Sequence, residues 1–282
     1  MWKVTWRRFR RSKLAVAALI YVAAVTLLAA AAPLIADHGG PVPFDPNDVD
    51  ITSRLRPPDR LHRLGTDDLG RDVLARMIHG GRVSLTVGFL ATAISLVIGS
   101  LLGALAGYYR GVVDWIVSRT IEVVLCFPFL FLVLGIVALF GPSLYTIMIA
   151  LGLTSWTTEA RFVRGEFLRI RELDFAYAAR ASGARDARII LRHLLPNALA
   201  PVLVSASFGV ASAILTESAL SFLGFGVPLP TPTWGSILLA AQQNIEYAWW
   251  LVVFPGVAIF LTVAAFNIIG DRFRDALDPR AE

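Results

Sequence analysis

The densest grouping of side chains that could do chemistry is a short acidic turn. Asp67, Asp68 and Asp72 lie within six residues of sequence, and carboxylate oxygens are the ligands that hard cations prefer. Arg71 lies among them, so we interpret the segment as a salt-bridged structural turn and predict no bound metal. Histidine does not alter this prediction, because the four histidines are far apart and keep no ligand spacing: His38, His62, His79 and His193.

The chain also lacks the residues that other kinds of catalytic site require. Cys126 is the single cysteine, which excludes a disulfide framework and a cysteine-based metal site. A phosphate-binding loop of the form GxxxxGK(S/T) does not occur. The long apolar runs carry neither a pair of aspartates nor a Ser–His pair that could support intramembrane proteolysis. We therefore predict a non-catalytic chain.

Glu217 is the one acid that lies well inside an apolar stretch, since residues 198–216 and 218–228 on either side of it are uncharged. An ionisable residue at membrane depth is a functional hypothesis by default. Two interpretations stay open. Glu217 could bind the ammonium group of a peptide or line a gate, or it could lie at the outer boundary, capping a helix or pairing with an arginine from residues 54–82. The second is favoured.

The elements that must position these residues are membrane helices. The chain is 56% hydrophobic and only 17% charged, whereas soluble domains are about 25% charged. The charges fall at the edges of apolar runs, so the net charge of +5 does not indicate nucleic-acid binding. Five uncharged runs reach the ~20 residues that cross a bilayer: 14–36, 83–109, 123–158, 198–216 and 247–270.

The run at 123–158 is long enough for two crossings, with Gly141-Pro142-Ser143 as the turn between them. Only helices satisfy their own backbone polar groups over such runs. The sequence therefore predicts an all-α membrane protein with about six transmembrane helices. The first run, 14–36, exceeds the 7–15 apolar residues of a signal peptide, so we expect a retained span.

Basic residues set the expected orientation. The first 13 residues carry six basic side chains and no acid, and segment 161–196 carries eight arginines against four acids; both are expected in the cytoplasm. The predicted organisation is a basic cytoplasmic tail (1–13), a first transmembrane helix (14–36), an extracytoplasmic segment (37–82), a five-helix core (83–270) that includes the cytoplasmic loop 161–196, and a cytoplasmic tail (271–282).

Segment 161–196 is much longer than a connector needs to be. Asp174 is placed as the N-cap of a short helix that runs through Ala181, and Gly183 supplies the break, where a left-handed residue is least costly. A second helix follows, with an apolar stripe at Ile189, Ile190, Leu194 and Leu195. Such a hairpin could dock into a groove on a partner, or lie on acidic lipid headgroups.

Residues 178–184 (AARASGA), with Ile189-Ile190 and Leu195-Pro196-Asn197, resemble the EAA loop of ABC importer permeases. Tyr177 stands where that loop has its eponymous Glu. Residues 64–72 (LGTDDLGRD) and 217–226 (ESALSFLGFG) resemble segments of the dipeptide/oligopeptide/nickel branch. The three motifs occur in order, and the resemblance covers nearly the whole chain. It points to the C-type member of a permease pair.

The resemblance implies a type I ABC importer permease fold with a cytoplasmic helix–turn–helix that couples to an ATPase. Expected partners are a homologous B-type permease in a heterodimer, two ATP-binding subunits that hold ATP and Mg²⁺, and an extracytoplasmic solute-binding protein. The expected location is the bacterial cytoplasmic (inner) membrane, with both termini cytoplasmic. The residues expected to contact the ATPase are Asp174, Tyr177, Ala178, Ala179, Gly183 and Ala184.

The alternative function is an ion-gradient-driven secondary transporter. It requires a relay of intramembrane acids that carries a proton or a sodium ion, and Glu217 is the only candidate.

Overall fold

A computed structural model describes residues 2–37 and 39–277; Met1, His38 and residues 278–282 of the expected C-terminal tail lie outside it. Every regular element in these ranges is helical. In chain order the helices are α1 (Trp2–Arg11), α2 (Lys13–Ala30), α3 (Ala32–Ile35), α4 (Val73–Tyr109), α5 (Gly111–Leu125), α6 (Phe129–Phe140), α7 (Leu144–Ile170), α8 (Asp174–Ala181), α9 (Asp186–Arg188), α10 (Leu195–Phe222), α11 (Trp234–Ala241) and α12 (Trp250–Leu277).

Four helical segments are long and apolar enough to cross a membrane, which confirms the predicted class of fold: Lys13–Ala30, Val73–Tyr109, Val202–Phe222 and Trp250–Leu277. A fifth is the pair α5 and α6, if the two count as one broken span. Helix α7 is also long enough to cross a membrane, with 27 residues and about 40 Å of length. It is not among the four apolar spans, because its polar side chains reduce its hydropathy. Helix α4 begins ten residues before its uncharged run, because Asp72 caps it by accepting from the Ala75 amide at 2.8 Å.

The first of the two crossings expected within 123–158 consists of two helices, α5 and α6, and begins earlier, at Gly111. Helices α5 and α6 meet at an angle of 86°. Pro128 causes the break, since proline offers no amide hydrogen and disfavours helical geometry in the residue before it. The expected turn at Gly141 is present and ends α6 before Ser143 caps α7.

Helices α4 and α7 form the most extensive packing in the bundle. Gly99, Gly103 and Gly107 recur every fourth residue on α4, and all three lie against α7. A Cβ atom added to Gly103 would lie 2.5 Å from the carbonyl oxygen of Ala160. Small residues at this spacing let two membrane helices approach to backbone contact.

The end of the bundle that carries the start of α4 is covered by a polar segment, residues 39–72, which we call the cap. Trp250 Nε1 donates to the carbonyl of Thr66 at 3.0 Å and so joins α12 to the cap. At the opposite end, Phe9 of α1 packs against Phe273 of α12. The segment between α7 and α10, residues 171–194, also lies at this second end.

Candidate functional site

The hairpin, residues 171–194, has the predicted helix–turn–helix form. Its first helix, α8, spans Asp174–Ala181, but the N-cap is Leu173, whose backbone is extended. Asp174 is therefore the first helical residue and not the N-cap; there its charge favours the positive end of the helix dipole. The turn is as expected: Gly183 has φ +74°, and its amide donates to the Arg180 carbonyl at 2.9 Å.

The second arm of the hairpin continues into the bundle without interruption. Helix α9 passes into a wider π-helical segment, Ile189–Leu194, and then directly into α10. Pro196 is accepted because it lies in the first turn of α10. Of the predicted apolar stripe, Ile189, Ile190 and Leu194 are buried, and Leu195 is partly buried against the same cluster.

Helix α8 presents two different faces. Ala176 and Ala179 are buried, whereas Phe175, Tyr177 and Ala178 are exposed. The buried face packs into one apolar cluster, which we call the junction cluster because it joins the hairpin to α4, α7 and α10: Ala104, Tyr108, Val163, Phe167, Ile170, Ala176, Ala179, Ile189, Ile190, Leu194, Ala198 and Val202.

The six residues expected to contact an ATPase are thereby divided. Asp174, Tyr177, Ala178 and Gly183 are exposed, and Ala184 is partly buried. Ala179 points inward and is 8% exposed, so its side chain supports the hairpin from within. Helical spacing explains the division, because residues three apart, such as Ala176 and Ala179, share one face.

Polar contacts hold the hairpin to the junction of α4 and α5. The Tyr108 hydroxyl donates to Asp186 Oδ1 at 2.6 Å, and Arg171 Nη1 donates to the Tyr108 carbonyl. The Arg180 guanidinium lies 5.7 Å from the centroid of the Tyr108 ring. Tyr108 thus contacts both arms of the hairpin.

Tyr177, the residue that departs from the resembled motif, pairs with an acid five positions before it. Its hydroxyl donates to Glu172 Oε2 at 2.5 Å, and Arg110 Nη2 donates to Glu172 Oε1 at 2.6 Å. The Tyr177 hydrogen bond lowers the pKa of the Glu172 carboxyl below its usual 4.5, with smaller contributions from Arg110 and Arg171. The same contact raises the pKa of Tyr177.

Glu217 lies in a polar knot between three helices. Its side chain is fully buried. Ser84 of α4 donates to Oε2 at 3.1 Å, and Ser221, one turn further along α10, donates to Oε1 at 2.7 Å. The Trp234 amide at the start of α11 donates to Ser84 Oγ at 3.3 Å. The expected pairing with an arginine of residues 54–82 is not observed among the described contacts.

A cavity of about 570 Å³ lies between α4, α7, α10 and the bend from α5 to α6. Glu217 is not among the described residues that line this cavity. The acid in the cavity wall is Glu159 of α7. Glu159 was not singled out from the sequence, because it falls between the uncharged run 123–158 and the basic segment 161–196. The signal was its neighbourhood, a hydroxyl-rich stretch of α7 over residues 154–158.

The acidic turn in the cap is a structural element. Asp67 Oδ2 accepts from Arg71 Nε at 2.7 Å and lies 3.4 Å from Arg76 Nε. Asp72 pairs with His62, whose Nδ1 is 2.9 Å from Oδ2. Within residues 2–37 and 39–277, no group of three or more His, Cys, Asp or Glu side chains is placed to hold a metal ion.

Comparison with known proteins yields two family matches. A family described as the binding-protein-dependent transport system inner membrane component matches residues 99–282. A second, described as the N-terminal TM domain of oligopeptide transport permease C, matches residues 1–58. Together these two matches take in both ends of the chain and most of the helical bundle.

Two relatives illustrate the similarity over the whole chain. The dipeptide transport system permease protein DppC of Alkalihalophilus pseudofirmus is 41% identical over 99% of this chain and 90% of its own. The oligopeptide transport system permease protein OppC of Haemophilus influenzae is 40% identical over 99% and 89%. An inward-facing structure of the MetNI methionine ABC transporter shares the fold, with TM-score 0.60 and 21% identity over 73% of this chain and 98% of that one.

Proposed function

The chain belongs to the family of binding-protein-dependent transport system inner membrane components, and from this premise we propose that it imports peptides or related small solutes. It is a membrane-spanning permease subunit of an ATP-driven importer. The proposed cargo follows relatives of about 40% identity, whose names specify dipeptides and oligopeptides. The same family membership favours ATP-driven import over the ion-gradient alternative.

The observation that carries the proposed mechanism is the attachment of the hairpin. The inner face of α8 shares the junction cluster with α4, α7 and α10, while its outer face, with Tyr177 and Ala178, is exposed. A partner that binds the outer face and then moves would therefore shift α4, α7 and α10 together. We propose that the partner is an ATP-binding subunit and that this shift alternates access to the pathway.

Polar contacts attach the outer face to the rest of the bundle as well. Tyr177, Glu172 and Arg110 are joined by the two hydrogen bonds described above, so α8 is tied to the start of α5 as well as to the apolar cluster. In this proposal Asp174, Tyr177 and Ala178 touch the ATPase. Gly183 and Ala184 shape the turn, and Ala179 acts as an inward support.

The remaining partners follow from the same proposal. A homologous permease completes the walls of the pathway, two ATP-binding subunits hold ATP and Mg²⁺, and a solute-binding protein delivers cargo at the cap. This chain carries out no bond chemistry. Both termini and the hairpin lie on the cytoplasmic side of a bacterial inner membrane, in agreement with the positive-inside rule.

The contact with the ATPase is tested by photo-cross-linking. In a Cys126→Ser background, Ala178→Cys is coupled to benzophenone maleimide and irradiated in the assembled complex. We expect a cross-link to an ATP-binding subunit. The matched control is Ile51→Cys, because Ile51 is 73% exposed but lies in the cap at the opposite end. Equal cross-linking from both positions, or from neither, contradicts the assignment.

Coupling itself is tested at the turn. Gly183→Pro should abolish ATP-dependent uptake while the protein still inserts, because proline requires φ near −65° and Gly183 has φ +74°. Gly183→Asn is the control, since asparagine tolerates the left-handed region and should retain most uptake. Normal uptake by the proline variant would show that the hairpin does not transmit the movement.

A further inference from the structure

The cavity between α4, α7, α10 and the α5–α6 bend has the size and lining of a ligand site. Its volume of about 570 Å³ lies within the range of ~300–1,000 Å³ typical of small-molecule pockets. Phe127, Phe129 and Phe208 supply apolar wall, and serine and threonine hydroxyls supply polar positions. Pockets that orient a ligand combine these two kinds of surface.

Glu159 is the charged group in this wall. It lies on α7 roughly 22 Å from the start of that helix and 16 Å from its end, at 1.5 Å per residue. Its side chain is 6% exposed, and Oε2 accepts from Ser205 Oγ of α10 at 2.6 Å. Among the described residues that line the cavity, none is basic. The ionised form of Glu159 therefore makes the electrostatic potential inside the cavity negative, with no basic side chain among those residues to offset it.

The two buried acids of the bundle differ in what surrounds them. Glu217 accepts hydroxyl hydrogen bonds on both of its oxygens and lies outside the cavity wall, whereas Glu159 lies in that wall and is held by Ser205. An acid at membrane depth needs a partner of opposite charge or a polar surrounding. Glu217 has that surrounding within the protein. Glu159 faces space that a cation can enter.

Thr92 of α4 points to the same space independently. It is 6% exposed, and its Oγ1 is buried without a hydrogen-bond partner among the described residues. Buried hydroxyl groups are normally hydrogen-bonded, and Thr92 lines the cavity. The wall thus contains a carboxylate on α7 and an unpartnered hydroxyl on α4, two polar positions that different donors of one solute can occupy.

We propose that this cavity binds the primary ammonium group of a transported solute, such as the free amino terminus of a peptide. Glu159 supplies the opposite charge, Thr92 Oγ1 can accept a hydrogen bond from another donor of the solute, such as a peptide amide, and Ser205 is the positioning residue that holds the carboxylate. The inference rests on the proposed function, because the solute must pass through the bundle to reach the site. Hydrogen bonds to a charged partner are the strong ones.

The test is modification of Glu159 by dicyclohexylcarbodiimide in the complete importer, reconstituted in nanodiscs without ATP and quantified by mass spectrometry. We expect Glu159 to be modified and Glu217 to be spared. Millimolar L-alanyl-L-alanine should slow modification of Glu159 by at least about threefold, whereas N-acetyl-L-alanyl-L-alanine should not, since it lacks the charged donor. An unreactive Glu159, equal protection by both peptides, or protection by neither overturns the proposal.

Variants separate positioning from packing. Ser205→Ala should leave Glu159 reactive but weaken the protection given by L-alanyl-L-alanine. Ser207→Ala, on the same helix but not among the described residues that line the cavity, should leave protection unchanged. ATP-dependent uptake of the solute carried by the binding protein is measured on the same wild-type complex after reconstitution into sealed proteoliposomes. If uptake occurs but the dipeptide does not protect Glu159, the ammonium site is refuted and the proposed function stands. If ATP-dependent uptake is absent, the proposed function is refuted whatever the labelling shows.

Discussion

The contact between α4 and α7 offers a direct test of the packing. Gly103→Ala adds one methyl group, which would lie 2.5 Å from the Ala160 carbonyl oxygen and 2.9 Å from Val163 Cβ. Ordinary contact begins at 3.4 Å. Because the nearest atom is backbone and cannot rotate away, the helices must separate locally by about 0.9 Å.

The magnitude follows from that separation. A radial gap of about 0.5–1 Å forfeits a quarter to a half of the attraction at each neighbouring atom pair, and overpacking of a tight core costs about 1–3 kcal/mol. We therefore expect Gly103→Ala to lower the free energy of unfolding by about 1–3 kcal/mol. The intrinsic helix preference for alanine acts in the opposite direction, by about 0.5–1 kcal/mol.

The assay is unfolding by sodium dodecyl sulfate in mixed micelles, followed by the far-UV signal. Gly165→Ala is the matched control: it lies on α7, and nothing approaches its added methyl within 4 Å, so only the helix preference acts and stability should rise slightly. If Gly103→Ala were as stable as Gly165→Ala, the close approach of α4 and α7 would be refuted.

Three further outcomes are expected. Glu217→Leu should destabilise the bundle by about 1–3 kcal/mol in thermal unfolding, because two buried serine hydroxyls lose their acceptor; Glu217→Gln, which keeps an acceptor, should cost less. The lowered pKa of Glu172 means that its contribution is present above pH 4.5 and is lost as pH falls through the lowered value. Proteolysis of the hairpin should accelerate in that acidic range, and Tyr177→Phe should weaken this pH dependence. Asp67→Asn should cost about 3–5 kcal/mol in thermal unfolding, because Arg71 and Arg76 lose the buried carboxylate that they share.

The class of fold and the form of the hairpin could be predicted from local sequence. Long uncharged runs have one backbone solution in lipid, the helix, and a glycine after a short amphipathic segment indicates a turn wherever the helix lies. Gly183 and the stripe at Ile189, Ile190 and Leu194 were therefore predictable. The position of Asp174 within the first turn was missed by one residue, because helix ends depend on backbone geometry as well as on residue type.

The bend between α5 and α6 was only partly accessible in this way. Pro128 signals a break, but its 86° angle and the early start of α5 at Gly111 depend on what the helices pack against. Asp114 of α5 accepts from Arg164 of α7, fifty residues away, at 2.7 Å. A pairing over that distance in sequence has no local signature.

By itself the sequence determined that the chain is a helical membrane protein with a helix–turn–helix hairpin, because those features follow from runs and turns within single segments. Tertiary structure decided which faces meet. It placed Glu159 in the cavity wall and Glu217 in a polar knot, turned Ala179 inward, and set three glycines of α4 against α7. The physical reason is that lipid is as apolar as a helix neighbour, so hydrophobicity along a membrane helix does not reveal which side meets protein.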